Sequence, residues 1–393
     1  MLNLSPLLYT TKDRTAVDGV AVDHPTFLKA LELTSEEKQA IDAARKDIRR
    51  ALREGLPQAL RAKGYEGEVC EPKFFIQGSW AYKTLNRPCV TPPQQSDVDD
   101  GVYLPLSIMK EEAKPHLAID DFFEAVQAVL APLCGPGSGW ELERKPNCMR
   151  VVVSEYAHID LPLYAIPDDQ YLLLKAAMES FSARAMDGIA ANASVQTWKK
   201  LPSDQILLAC ERGWIKSDPL EMKEWFEREV KDKGEQLRRV VRYIKGFRDQ
   251  QWDEKGPSSI LLMAAACPLF EFELKRDDEA LLTVVEGLPK ALRAGVLSPI
   301  DSSVYLTDAL SKSDLEAAAE KFETFAKYLS ASMAASAEAK VSACGWMREM
   351  LGIRFPNRPD LIEDRTSFGL PAAIAAVEPE PGEMEILKRS KSG

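Results

Sequence analysis

An α+β fold, a mixed sheet with helices followed by a helical half, is predicted for this chain of 393 residues. Three observations predict it. Short apolar runs and two-residue alternation recur between Phe74 and Ala165, the texture of strands. Beyond about residue 167 the apolar residues return at the spacing of helices instead. The length suffices for two units, or for one core with a large helical partner.

Residues 1–33 read as an irregular arm. Thr34-Ser35-Glu36-Glu37 fits a capping box, opening a helix to about Arg53 that continues past Gly55 and Pro57 to Lys63. Phe74-Phe75-Ile76 suits a buried strand, Gly78-Ser79 turns the chain, and Ser79–Leu85 starts a helix. Asn86-Arg87-Pro88 and Thr91-Pro92-Pro93 break the chain before an acidic strand that runs on through Val102-Tyr103-Leu104. Ala118–Leu130 has helical apolar spacing, and Arg150–Val153 and His158–Ala165 read as paired strands.

In the helical half, Tyr171–Ala185 is one candidate, followed by a loop to Ser217-Asp218-Pro219. Glu221 to Trp252 forms one long helix or two abutting ones, and Ile260–Cys267 another. Ser313-Asp314-Leu315-Glu316 is a second capping box, for a helix to about Ala339. The Pro/Glu-rich stretch from Val377 is expected to be disordered. The organisation is thus an arm (1–33), a core with its long N-terminal helix (34–215), a helical domain (216–355) and a C-terminal segment (356–393).

Composition narrows the function. No apolar run is long enough to span a bilayer and no signal-peptide pattern opens the chain, so no membrane role is expected. Seven scattered cysteines without a Cys-x-x-Cys pair suggest reduced thiols and a cytoplasmic protein. Three histidines make a zinc site a poor expectation. A formal charge of −11 makes nucleic acid an improbable partner, because its phosphates demand a basic surface. Arg45, Lys46, Arg49, Arg50 and Arg53, interleaved with acids, read as a solvated helix face.

The chemistry concentrates in Gln77-Gly78-Ser79 and, about twenty residues on, Asp97-Val98-Asp99. On a strand Asp97 and Asp99 share a face, Val98 packs behind them, and Asp100 points away. A lone Asp-x-Asp is usually a solvated turn, and Gly-Ser before a helix is often only a cap. Their order and flanks argue for more. With Asp160 in His158-Ile159-Asp160-Leu161-Pro162, they supply a phosphate cradle and three carboxylates able to hold two divalent ions. Such a pair, about 4 Å apart, can clamp both oxygens of an in-line nucleotidyl transfer. Taken alone, Asp160 reads equally well as a structural aspartate, Lys245 as a solvated lysine and Arg150 as half of a surface ion pair.

The run Gln77-Gly78-Ser79-Trp80-Ala81-Tyr82-Lys83-Thr84-Leu85-Asn86-Arg87-Pro88, with Asp97-Val98-Asp99-Asp100-Gly101-Val102-Tyr103-Leu104-Pro105, closely resembles the cGAS/DncV-like nucleotidyltransferases of bacterial anti-phage defence. Further blocks extend the likeness: His158–Pro167, Trp214–Pro219, Arg242–Asp249, Gly256–Ile260 and Arg293–Val296. The resemblance implies a polymerase-β-like nucleotidyltransferase core and a helical C-terminal domain, with the active-site cleft between them. It implies that Asp97, Asp99 and Asp160 are the catalytic carboxylates, ligating two Mg²⁺ with Mn²⁺ as a substitute. Gln77, Gly78, Ser79 and Tyr82 would line the nucleotide pocket. Arg150, Ser217, Lys245 and Ser259 would contact the donor triphosphate or its base, Ser258 is a further nucleotide-binding residue, and the segment with Asp301 would contact the acceptor base. ATP and GTP are the implied substrates, joined through a linear intermediate into a cyclic GMP-AMP-type product. Some relatives have their C-terminus conjugated by a ubiquitin-transfer-like enzyme, and a flexible tail ending in Gly393 is compatible with that. The alternatives are other purine cyclic or linear oligonucleotides, or a catalytically silent nucleotide-binding regulator.

Overall fold

A computed structural model describes residues 1–10, 25–65, 71–105, 115–169, 171–172, 205–217, 219–254 and 256–364, the backbone alone at 115–118. The predicted helix from Tyr171, apart from its first two residues, lies outside the described residues, as do Asp218, the tail and Gly393. The strands run β1 Leu2–Asn3, β2 Lys73–Gln77, β3 Ser96–Pro105, β4 Glu141–Lys145, β5 Cys148–Ser154, β6 Ala157–Leu161, β7 Leu163–Ile166, β8 Leu207–Cys210, β9 Gly213–Lys216 and β10 Glu363–Asp364. Strands β2 to β9 form one eight-stranded mixed sheet, and a helical half follows it. The predicted α+β class is the observed one.

β3 organises the sheet. β2 runs antiparallel to it, while β6 and β7 lie parallel in one register carried across Pro162, whose missing N–H interrupts the ladder. The hairpins β4–β5 and β8–β9 extend from β6 and β7. The sequence suggests a loop where β8 and β9 form a hairpin; its turn needs Gly213 at φ +127°.

The first long helix is one piece, Ser35–Ala62, closed by the predicted capping box: Glu37 N donates to Thr34 Oγ1 at 3.1 Å and Thr34 N to Glu37 Oε2 at 2.8 Å. Ile41, Ile48, Leu52, Leu56 and Leu60 recur at helical spacing and are buried against the sheet and the Pro115–Leu130 helix. Arg49 crosses from this helix to the far face of β3, where it forks onto the fully buried carboxylate of Asp100. That pair anchors β3 from behind.

The expected arm is structured where it is described. Leu2, Leu4, Leu7 and Leu8 are fully buried in the helical core, β1 pairs with β10, and Asp278 accepts from Leu4 N at 2.8 Å. Four leucines in eight residues are too apolar for a free arm. The 221–252 pattern divides into Pro219–Lys233 and Glu235–Gln251 at Gly234, whose φ of +89° ends the first helix. Ser311, rather than Ser313, caps the next predicted helix, Lys312–Ala334, and a separate helix Lys340–Leu351 follows. Asp277–Ala294, which carries Pro289 in its interior, is a helix that the pattern reading missed.

Candidate active site

The cleft lies between the sheet and the helical half, and its walls include Ser79, Asp97, Lys245, Arg248 and Ser259. Strand alternation sets its acidic wall. Asp97 and Asp99 share the cleft face of β3, and the parallel register puts His158 beside Asp97 and Asp160 beside Asp99. Oxygen atoms of Asp97 and Asp160 and a ring nitrogen of His158 all fall within 4.8 Å of one another. Asp97 is the open member, its side chain 52% exposed.

Each of these groups is held. Arg150, opposite Asp160 on β5, donates Nε to Oδ1 at 2.7 Å and Nη2 to Oδ2 at 2.8 Å. Burial alone would lower the Arg150 guanidinium, but the hydrogen bond and charge of Asp160 raise it overall. His158 Nε2 lies 3.1 Å from Asp97 Oδ1, and its Nδ1 lies 2.9 Å from Gln95 Oε1. Enclosure pushes the Asp97 carboxyl up, yet the His158 hydrogen bond and the charges of His158, Arg150 and Lys245 bring it below the ordinary range. Asp99 moves the other way: burial first, then Asp97 and Asp160, hold it well above the usual carboxylate range.

This donor set fits a divalent cation. Clustered carboxylates that repel one another supply the hard oxygen ligands such an ion requires, and the ion removes the repulsion. Of the three expected ligands, Asp97 and Asp160 converge together with His158. Asp99 stands beside them on the shared face, its Oδ2 turned over the Gly78 turn: a Cβ built on Gly78 would lie 1.8 Å from it.

Gly78 also has φ +63°, so no other residue suits the position. Gly78→Ala is expected to displace the Asp99 carboxylate and lower turnover roughly tenfold or more, while strain costs the fold only about 1–3 kcal/mol. Steady-state kinetics beside a thermal melt check this; unimpaired turnover would separate Asp99 from the chemistry.

The remaining predicted residues divide. Ser79 faces the cleft, its Oγ donating to Asp97 O at 3.2 Å, but the helix it was expected to start is only the turn Gly78–Ala81. Lys83 enters the left-handed region at φ +59° and ends it. Gln77, opposite Asp99 on β2, shares its face of the sheet but is buried, its Nε2 donating to Tyr164 Oη at 3.1 Å. Tyr82 packs its ring against Phe226 in the helical core, and burial raises its hydroxyl pKa. Ser258 caps Ser259–Leu269 by accepting from Leu261 N at 3.2 Å, whereas Ser259 turns to the cleft and accepts from Arg248 Nη1 at 3.2 Å. Ser217 follows β9, its N–H donating to Ile206 O at 3.1 Å. Asp301 is spent on a surface turn, accepting from Ser303 N at 2.9 Å.

Lys245 is 3% exposed, with Nζ donating to Thr84 O at 2.7 Å. Burial first, then Arg248 and Arg242, lower its pKa to about 7. Sequence reasoning gave no role to His158, Gln94, Gln95 or Arg248. The only signal for His158 was its alternation with Asp160.

Paired aspartates on a mixed sheet, beside a glycine turn and under a helical half bearing a buried lysine, define a nucleotidyltransferase-type site. The family described as cyclic GMP-AMP synthase DncV-like, nucleotidyltransferase domain, matches residues 72–164, and the cyclic GMP-AMP synthase C-terminal domain matches residues 234–364. A cyclic GMP-AMP synthase of Escherichia coli is 32% identical over 337 residues, 82% of this chain and 76% of the relative. The chain belongs to the DncV-like cyclic GMP-AMP synthase family. One from Vibrio cholerae is 35% identical over 244 residues, 58% of this chain, and the match spans about half of that relative, 55%. The crystal structure of Vibrio cholerae DncV cyclic AMP-GMP synthase with the linear intermediate 5′ pppA(3′,5′)pG superposes with a TM-score of 0.73 at 27% identity, covering 92% of this chain and 98% of that one.

Proposed function

We propose that the protein is a Mg²⁺-dependent cyclic dinucleotide synthase that joins ATP and GTP into a cyclic GMP-AMP-type second messenger, acting in the cytoplasm in anti-phage signalling. The single observation that carries this reading is that Asp97, with Asp99 and Asp160 beside it on the same face of the sheet, meets Lys245, Arg248 and Ser259 across one cleft. Divalent ions held by the three aspartates would supply charge neutralisation at the triphosphate and acidify an incoming ribose hydroxyl.

The protein's own groups do the rest. Lys245 presents its amine to the phosphates; their charge favours the ammonium form, so binding above pH 7 takes up a proton at Nζ. Arg248 orients the Ser259 hydroxyl toward the cleft. Arg150 keeps both Asp160 oxygens in place. Ring closure requires the linear intermediate to turn over in the cleft and present its second hydroxyl to the same carboxylates.

Purified protein incubated with each pair of labelled purine nucleotides, with the products identified by mass spectrometry, tests the reading. A phosphatase-resistant product from ATP plus GTP, lost on chelation, is expected. A product with a free terminal phosphate would point to linear synthesis, and no phosphodiester product from any pair would overturn the assignment.

A further inference from the structure

Gln94 and Gln95, between the cis prolines and Asp97, send their side chains to opposite sides. Gln94 Oε1 accepts from Cys89 N at 2.9 Å and Val90 N at 3.2 Å, within its own loop. Its Nε2 crosses to the helical half, donating to Asp249 O at 2.6 Å and Trp252 O at 2.8 Å. Those carbonyls stand at and just past the end of the Glu235–Gln251 helix, where the last ones have no intrahelical donor, and that helix carries Lys245 and Arg248. Gln95 does the same work toward the sheet. Its Nε2 donates to Ser154 O at 3.1 Å, which turns Oε1 to His158, the neighbour of Asp97.

Resting on the function proposed above, we propose that Gln94 is a positioning residue. Its amide fixes where the Lys245–Arg248 helix end stands relative to Asp97, three residues further along the same chain. Other contacts join the halves, among them Asn86 Nδ2 to Arg242 O at 2.9 Å. Asn86 also lines the cleft and uses both ends of its amide, but on Arg242 in mid-helix; Gln94 holds the helix end itself and sits on the segment that leads directly into the acidic strand. A triphosphate held by the helical half meets the carboxylates in line only if that spacing is kept, and a misplacement of about 1 Å can cost on the order of 10²-fold in rate.

The test is Gln94→Leu, which keeps bulk and removes all four bonds, beside Gln94→Glu, which keeps an acceptor for Cys89 and Val90 but loses the donors to the helix end. Both are expected to lower kcat about 30- to 100-fold with KM within about threefold, the pattern of lost alignment rather than lost binding. In a Lys245→Ala background the Gln94 replacement should cost little more, because both act on one triphosphate. Full kcat in Gln94→Glu, or full additivity with Lys245→Ala, overturns the positioning role. Hydrogen exchange supplies a readout independent of turnover: segments 86–95 and 246–252 should both exchange at least about tenfold faster in Gln94→Leu. Unchanged exchange in either segment overturns the proposal even if the unsubstituted protein makes no product, and that last result would by itself overturn only the function.

Discussion

Replacing Asp97 and Asp99 together by Asn is expected to lower product formation on the order of 10³-fold or more, while the melting temperature changes little. The first effect follows from removing two of the carboxylates proposed as hard oxygen ligands on the cleft face of β3. The second follows from electrostatics. Asp99 is held well above the ordinary carboxylate range by burial and by its neighbours Asp97 and Asp160, so its charge is a cost to the folded chain. Despite burial, Asp97 is held below that range by His158, Arg150 and Lys245, so its charge favours the fold; Asn at both positions keeps the shape and sets the lost attraction against the lost repulsion. Asp160→Asn is a poorer probe, because it leaves the Arg150 guanidinium without its carboxylate and mixes instability with lost chemistry. Mass-spectrometric product yield, Mn²⁺ binding by electron paramagnetic resonance and thermal melts distinguish the two effects. Turnover at the level of the unsubstituted protein would refute the metal assignment outright.

How much of this site was legible in the sequence depends on the range of the interactions. Alternation along one strand places Asp97 and Asp99 together and sends Asp100 to the opposite face, where it meets Arg49. That much is local. Which residue faces Asp97 from the next strand is a matter of register between segments some sixty residues apart, and a slip of one would exchange the faces. Hence His158 as the neighbour of Asp97, and Arg150 as the clamp of Asp160, could not be read from pattern alone.

The same limit explains where the other predicted residues fall. Gln77 and Tyr82 flank the glycine turn in sequence, but the short Gly78–Ala81 helix leaves one in the sheet's core and the other in the helical core. Ser258 and Ser259 are adjacent and chemically equal; helix geometry alone decides that one is a cap and the other a cleft residue. The helix Asp277–Ala294 was hidden by an interior proline, and the apolar N-terminal segment was read as an arm because its core lies far along the chain. Local rules thus gave the acidic strand and the first helix, and contacts over long sequence separation gave the rest.

Lys245→Met is expected to make a more stable and nearly inactive protein. At 3% exposure the lysine is held with a pKa of about 7, against an ordinary value near 10.4, by burial and by Arg248 and Arg242. Between pH 7 and about pH 10 the unfolded chain therefore binds a proton that the native state does not. Native stability at this residue rises with pH across that window, and its cost is full at pH 7 and below. A methionine removes the cost but leaves Thr84 O without the bond that Nζ donates, worth about 1–3 kcal/mol. The net gain expected at pH 7 is on the order of 1–3 kcal/mol, shrinking to nothing or reversing above about pH 10. Turnover should fall by roughly 10²- to 10³-fold, as for loss of one oriented donor to a transferring phosphoryl group. Urea unfolding of both proteins at pH 7 and pH 10, read beside kinetics, tests the pair of effects. A variant less stable at pH 7, or one that keeps its turnover, would mean that the buried amine serves the fold and not the phosphates.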